Sequence, residues 1–448
     1  MLKLTKQYDR YPKYKDSGVE WIGEIPKGWG VVPMRSLFST KKQLVGEDAS
    51  SHKLLGLTLG GVKPRPENDK GKHPEKYDTY QEFKTDDLVF CLFDYDVTPR
   101  TIGYVQEDGM LTGAYTRLIP KQDVVSRYYY YHFLALDQTK ELLHLCTGLR
   151  SSLSKPVFWS MANQKPAYDE QEKIVAYLGE KTALIDAIVE KKKKQIELLR
   201  EKRAAIINRA VTKGLPARRS LGEGGDPNAK LVDSGIEWIG KIPEGWEVKR
   251  LKYIANVQAS NVDKNTNEGD SEVLLCNYVD VYKNEYITAN LNFMKSTATH
   301  DQVRKVGLVP GDVLITKDSE TADDIGVPAL VKDSVANLVS GYHLYVMKPV
   351  RSLMVGDYLL RFLQSSYVHA SFETSSNGVT RFGLGAQKVK DLQVLVPSMF
   401  EQKKIALYVN EKAEVADCAV NKIEVSIKQL QEFKSALISH VVTGKVKV

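Results

Sequence analysis

Asp16–Val31 reads DSGVEWIGEIPKGWGV, and Asp233–Val248 reads DSGIEWIGKIPEGWEV. The two stretches agree at 12 of 16 positions, with Trp21 and Trp29 in register with Trp238 and Trp246. Composition does not produce such a match, so the chain repeats itself, and the repeat governs the reading of the whole fold. A second matching pair opens at Pro166 and Pro397. It continues through Glu170-Gln171-x-Lys173-Ile174 and Glu401-Gln402-x-Lys404-Ile405 and closes at Val211-Thr212 and Val442-Thr443. The offset is 217 in the first pair and 231 throughout the second, so the second half carries 14 more residues between its blocks.

The stretches between the blocks, 32–165 and 249–396, differ in detail but keep similar punctuation. Asp86-Asp87-Leu88-Val89-Phe90 parallels Gly311-Asp312-Val313-Leu314-Ile315, and Thr112-Gly113-Ala114-Tyr115 parallels Ser340-Gly341-Tyr342-His343. Helical apolar spacing follows over Ser126–Leu145 and Gly356–Phe372, each ending in a glycine turn, Thr147-Gly148 and Asn377-Gly378. The remaining short β-branched and aromatic runs, broken by Gly, Pro, Asn and Asp, suit strands and hairpins. The expectation is two α+β domains of one fold with divergent surfaces.

The closing blocks differ in kind. Glu170–Thr212 and Glu401–Thr443 align without a gap for 43 residues and hold no internal proline or glycine except Gly179. At 1.5 Å per residue each is a helix about 65 Å long. Leu178, Ile185, Ile188, Val189, Ile196, Leu199, Ile206 and Ile207 fall on one stripe, and Val409, Ala416, Ala419, Val420, Ile427, Leu430, Leu437 and Ile438 repeat it. Two matching stripes are satisfied most economically by packing on each other. The halves then sit about a pseudo-twofold axis, as in a C2 dimer. The bland alternative docks each stripe on its own domain. The expected organisation is therefore a first domain over 1–165, a long helix over 166–214, a linker over 215–231, a second domain over 232–396, and a second long helix with its tail over 397–448.

The 63 Lys+Arg against 56 Asp+Glu permit a polyanionic partner without establishing one. No run approaches the roughly 18 apolar residues that span a bilayer, and the opening MLKLTKQYDRYPKYKDSG lacks the apolar centre of a signal peptide. The expectation is a cytoplasmic protein with no membrane contact. Cysteines 91, 146, 276 and 418 form no CxxC pair, so neither a zinc site nor a redox motif is offered. The nucleotide, metalloprotease and hydrolase motifs are absent, as is the Asn/Asp-Pro-Pro-Tyr run of amino-methyltransferases. Gly222-Glu223-Gly224-Gly225 reads as a spacer. No residue is assigned a catalytic or metal-binding role.

The better candidates lie in basic loops. Lys63-Pro64-Arg65-Pro66 reads as a proline-stiffened loop holding two cations outward, and Arg100 follows the turn Val97-Thr98-Pro99. Arg150, Lys155, Arg381 and Lys388 lie at corresponding places after the shorter helices, and Lys317 joins them as a candidate. Arginine pairs bidentately with guanine, and such loops suit base-edge and phosphate contacts. The run Lys191–Lys194 reads as a solvated face or a phosphate track, and most of Tyr128–Tyr131 as packing.

Two variable domains, each opened by D-S-G-x-E-W-I-G-x-I-P-x-x-W and closed by P-x-x-x-E-Q-x-K-I before a long helix, resemble the specificity subunit of type I restriction–modification systems. The likeness covers nearly the whole chain. It implies a non-catalytic subunit that binds double-stranded DNA, each α+β target-recognition domain reading half of a split, asymmetric site, with the two long antiparallel helices forming a coiled-coil spacer. It also implies two methyltransferase subunits and two restriction subunits as partners, which would carry S-adenosylmethionine, ATP and Mg. Adding about four residues to both helices should shift the half-sites by roughly 6 Å, close to two base pairs. The competing expectations are a self-contained methyltransferase or nuclease, which the missing motifs disfavour, a coiled-coil scaffold or non-specific nucleic-acid-binding protein, and an RNA binder.

Overall fold

A computed structural model describes residues 9–66, 73–215, 230–237 and 239–448. Most of the linker, with Gly222–Gly225, and Trp238 lie outside the described residues. The chain forms two compact units, one of residues up to Lys193 with Glu424–Val448, the other Lys194–Ile423. The units therefore divide within the long helices rather than at their ends.

Both units are built on one plan. In the first, the sheet runs in the order Phe38–Ser39, Thr116–Pro120, Leu88–Phe90, Ile102–Tyr104, all antiparallel. In the second it runs Ala255–Ala259, Leu344–Pro349, Val313–Thr316, Pro328–Val331, with Tyr286–Ile287 added in parallel at the edge. The turn entering the third strand is the same in both units. The carboxylates of Asp87 and Asp312 accept the backbone N–H of Lys84 (2.6 Å) and Val309 (3.1 Å). Asp86 and Gly311, one position earlier, adopt φ of 71° and 96°.

The repeated blocks have a shared mechanical role. Each opening block is a small hairpin, Tyr14–Asp16 on Glu24–Pro26 and Leu231–Asp233 on Lys241–Pro243. Asp16 and Asp233 accept the N–H of Gly18 and Gly235, each at 2.9 Å. Those glycines turn at φ of 73° and 69°, which a β-carbon disfavours. The buried indoles of Trp29 and Trp246 donate to Glu170 (2.9 Å) and Glu401 (3.4 Å) of the closing blocks. The adjacent Gln171 and Gln402 are fully buried. Their amide oxygens accept the N–H of Val125 and Val355, each at 2.9 Å, satisfying the first orphan donors of the helices Ser126–Gln138 and Gly356–Leu363. Their amide nitrogens donate to the carbonyls of Pro166 and Pro397.

The long helices span Tyr168–Lys213 and Met399–Val442. None of the sixteen stripe positions is exposed, whereas Leu184, Leu198, Val415 and Val425 lie off the stripe and face solvent. Within the first unit, Leu178, Ile185 and Val189 share a core with Leu437 and Ile438, and Ile427 and Leu430 pack against it. Within the second, Ile207, Ala210 and Val211 share a core with Ile405, Ala406 and Val409. Lys434 Nζ bonds both carboxylate oxygens of Asp186 at 2.7 Å, and Arg203 Nε lies 3.3 Å from Asp417. One ion pair in each unit thus joins that unit's segments of the two helices. The stripes both pair the helices and dock them on the domains.

Each helix end also completes a unit. Tyr128 donates its hydroxyl to Val442 O (3.1 Å), and Tyr14 to Gly444 O (2.9 Å). In the second unit Lys213 reaches the carbonyls of Ile239 and Lys241.

Two expected helices are shorter than their periodicity. The first stops at Gln138, because Lys140 takes a left-handed φ of 54°, and Glu141–Leu145 continues as a 3-10 turn. The second breaks at Ser365, whose hydroxyl caps a new helix, Ser366–Ser375. Tyr128, Tyr129 and Tyr131 are buried. Among the described residues no helix is long and apolar enough to cross a membrane.

Candidate nucleic-acid interface

The strands Leu88–Phe90 and Val313–Thr316 each lead into a polar loop, 91–101 and 317–327, and each loop holds a hairpin from later in the chain. In the first unit the hairpin is closed by Thr147 bridging Ser152. Asp94 N–H donates to Arg150 O (2.7 Å) and Leu153 N–H to Leu92 O (2.7 Å). The Asp94 carboxylate then takes Arg150 Nε at 2.8 Å and also Nη2. These bonds hold the Asp94 carboxyl below its ordinary value. In the second unit Asn377 bridges Gly383, Asp318–Ser319 pairs with Phe382–Gly383, and Leu384 N–H donates to Lys317 O (2.9 Å). A β-carbon on Gly378 would collide with the carbonyl of Arg381, so that turn requires glycine.

Around these hairpins the structure gathers several of the sequence candidates. Lys63 and Pro64 end a strand, Gly61–Pro64, paired with Leu55–Thr58, rather than lying in a free loop. Proline is tolerated here because the strand lies at a sheet edge, where a missing N–H costs no ladder bond. Arg65 packs its stem across Gly56. Arg100 Nη2 donates to Leu59 O (3.2 Å), beside Lys63, and Nη1 lies 3.7 Å from the buried Asp137, so this arginine ties loops together rather than projecting outward. Arg150 is likewise engaged with Asp94. Lys155 is exposed at the start of the helix Lys155–Ser160.

In the second unit Arg381 lines a cleft of about 780 Å³ with Tyr278, Tyr282, Asp318, Asp324 and Thr380. The rings of Tyr278 and Tyr282 stack at 5.5 Å and 15°. Tyr282 donates to Asp324 (2.7 Å), which raises its phenol above the ordinary value. His343 bonds Asp318 at 2.6 Å, and Lys317 Nζ donates to Tyr342 O at 3.0 Å. Lys388 is not part of this cleft. It lines a separate cavity of about 500 Å³ with Arg250, Tyr367 and Asp391. Such a cleft offers stacking faces, carboxylates that accept amino groups of bases, and an arginine that donates to guanine.

No family model matches the sequence. Over 363 residues the chain is 22% identical to the type I restriction enzyme MjaVIII specificity subunit of Methanocaldococcus jannaschii, covering 77% of this chain and 76% of that protein. Over 257 residues it is 25% identical to the MjaIX specificity subunit of the same organism, covering 54% of each. A solved structure from work on complex assembly and conformational transition of the type I R-M system has a TM-score of 0.68, at 13% identity, over 93% of this chain and 98% of that one. The chain is similar in sequence to type I specificity subunits and in fold to that solved structure.

Side chains other than basic ones share these tips. Leu149 is fully exposed and Val379 is 93% exposed, each one residue beyond the hairpin glycine, and Val97 and Leu59 are exposed on the neighbouring loops. A lone aliphatic residue in a Gly-Ser-Thr-rich turn was the available signal. Tyr278 and Tyr282, a helical turn apart on Tyr278–Lys283, carried none, because that spacing equally suits packing.

Proposed function

We propose that this chain is a type I specificity subunit that reads a split, asymmetric site in double-stranded DNA, one half with each domain, as the non-catalytic part of a type I restriction–modification complex. The observation that carries the proposal is one framework bearing two unlike tips. Sheets of the same strand order hold hairpins at the same place. The first hairpin is accompanied by Lys63, Arg100 and exposed aliphatic residues, the second by Arg381, a tyrosine pair and carboxylates. Unlike tips on one scaffold read unlike sequences, so the site is not a palindrome.

Base edges in the major groove distinguish all four base pairs, and lysines around the loops supply phosphate contacts that position without specifying. The antiparallel helix pair then sets the number of unread base pairs. Leu184 and Val415, exposed at equivalent positions 231 apart, present matching surfaces on the two helices. These surfaces, with the repeated opening blocks, are where two methyltransferase subunits attach, and two restriction subunits complete the complex. S-adenosylmethionine, ATP and Mg belong to those partners.

The test is methylation-site mapping in DNA from cells producing this chain with its methyltransferase. A split motif with a constant spacer is the expected result, and a continuous or palindromic motif would overturn the proposal.

A further inference from the structure

Among the described residues, Leu149 and Val379 are the two most exposed large aliphatic side chains, at 107% and 93%. Scattered exposed aliphatic residues are ordinary on protein surfaces and need no explanation. These two are not scattered. Each sits at the tip of the hairpin that the loop after the sheet's central strand holds, in turns that otherwise share little, GLRSS over 148–152 and GVTRF over 378–382. Neither tip is a loose end. Thr147 and Ser152 exchange two backbone bonds of 2.9 Å, and Asn377 and Gly383 exchange bonds of 3.2 and 3.0 Å. Loop bonds to Arg150 O and from Asp318–Ser319 then fix each hairpin to its domain. The side chain is therefore presented on a rigid support, with an arginine one residue later in the first hairpin and two later in the second.

A rigid two-stranded ribbon fits the major groove of B-DNA. The apolar feature displayed there is the thymine 5-methyl group, and aliphatic side chains are what contact it. In the first unit Val97 and Leu59, 73% and 68% exposed, lie on the loops tied to this hairpin through Asp94 and Arg100, widening the apolar tip. Lys63 beside Leu59 gives the same lobe a cation to meet phosphate.

Building on the split-site reading above, we propose that Leu149 and Val379 are specificity-determining residues, each contacting a thymine methyl group in the half-site of its own domain. Both side chains are solvated, so replacing them leaves the cores untouched.

The experiment uses the full chain with its methyltransferase and duplexes carrying the mapped site. Each thymine is replaced singly by deoxyuridine, which removes only the methyl group, and affinities are compared for the parent chain, Leu149→Ser and Val379→Ser. The expected result is one thymine in each half-site whose replacement weakens the parent chain about fourfold, the equivalent of roughly 0.8 kcal/mol for one buried methyl-sized group. That penalty should vanish in Leu149→Ser for one half-site and in Val379→Ser for the other. Half-sites without such a thymine, or a penalty that persists in both variants, would overturn the inference while leaving the split site standing. Variants that bind weakly when the parent chain is itself insensitive to deoxyuridine at every thymine would indicate a wedge between bases, and would also overturn it. Loss of all site preference in the parent chain would instead remove the split-site reading, and this inference with it.

Discussion

Replacing Gln402 by leucine tests how the repeated Glu-Gln dipeptide holds a domain to its helix. The side chain is fully buried and makes three bonds of 2.9 Å, accepting from Val355 N–H and donating to Leu353 O and Pro397 O. Leucine nearly preserves the volume, so the cavity contribution is small and the loss is that of three stranded backbone groups. Each buried, unsatisfied group costs about 1–3 kcal/mol. With partial relaxation, the second unit should lose about 3–6 kcal/mol. Gln171→Leu should cost the first unit a similar amount, because Gln171 serves Val125 N–H, Pro166 O and Asp123 O at 2.9, 3.0 and 3.3 Å. Glutamate is no rescue, since a carboxylate would turn acceptor lone pairs toward carbonyl oxygens that need donors. Urea unfolding gives the magnitude, and amide exchange of the peptide spanning Val355 gives the location. A loss below about 1 kcal/mol, or an unchanged exchange rate at Val355, would refute the reasoning.

Other predictions follow from the same structure. Burial lowers the pKa of His132 from 6.5 to about 4. Below pH 6.5 the unfolded chain binds a proton that the folded one does not, so stability is fully present above that value and falls as pH drops toward about 4. The difference is about 3 kcal/mol, and His132→Leu should flatten this part of the pH profile of urea unfolding. Arg361, 1% exposed, bonds Glu285 (2.8 Å), Asn410 (2.8 Å) and Tyr286 (2.6 Å). Burial pushes the Glu285 carboxyl up, but Arg361 and Arg203 together hold it below its ordinary value. Arg361→Met should therefore cost about 3–5 kcal/mol by thermal or urea unfolding, and Glu285→Gln in the same chain should recover part of it. Arg100→Ala should increase amide exchange at Leu59–Gly60 as well as weaken DNA binding, because its guanidinium holds Leu59 O.

The repeat made the architecture legible, since two pairs of matching blocks, each pair at one offset, mark two copies of one scaffold. The helices were legible because apolar spacing survives without a gap. Which residues meet was not, because a stripe states how much surface needs a partner and not which partner. Asp186 meets Lys434 across 248 residues, and Tyr128 meets Val442 across 314. The basic candidates show the same limit more sharply. Arg100 and Arg150 are indistinguishable from solvated cations in sequence, because Asp137 and Asp94, which engage them, are fixed by loop packing. Arg381 and Lys388, grouped by their place after the shorter helices, line two separate cavities although only seven residues apart. Leu149 and Val379 carry no charge to mark them in the sequence, although a groove also displays apolar groups.

The most direct measurement of the central claim is methylation mapping after inserting four residues into each long helix at corresponding positions, beside Lys194 and Val425. The insertion adds about 6 Å and about 40° of helix rotation, against about 7 Å and about 70° for two base pairs, within what a stripe about 100° wide accommodates. The account predicts the same two half-sites with a spacer about two base pairs longer. An active complex that keeps the original spacer, or that reads different half-sites, would contradict it.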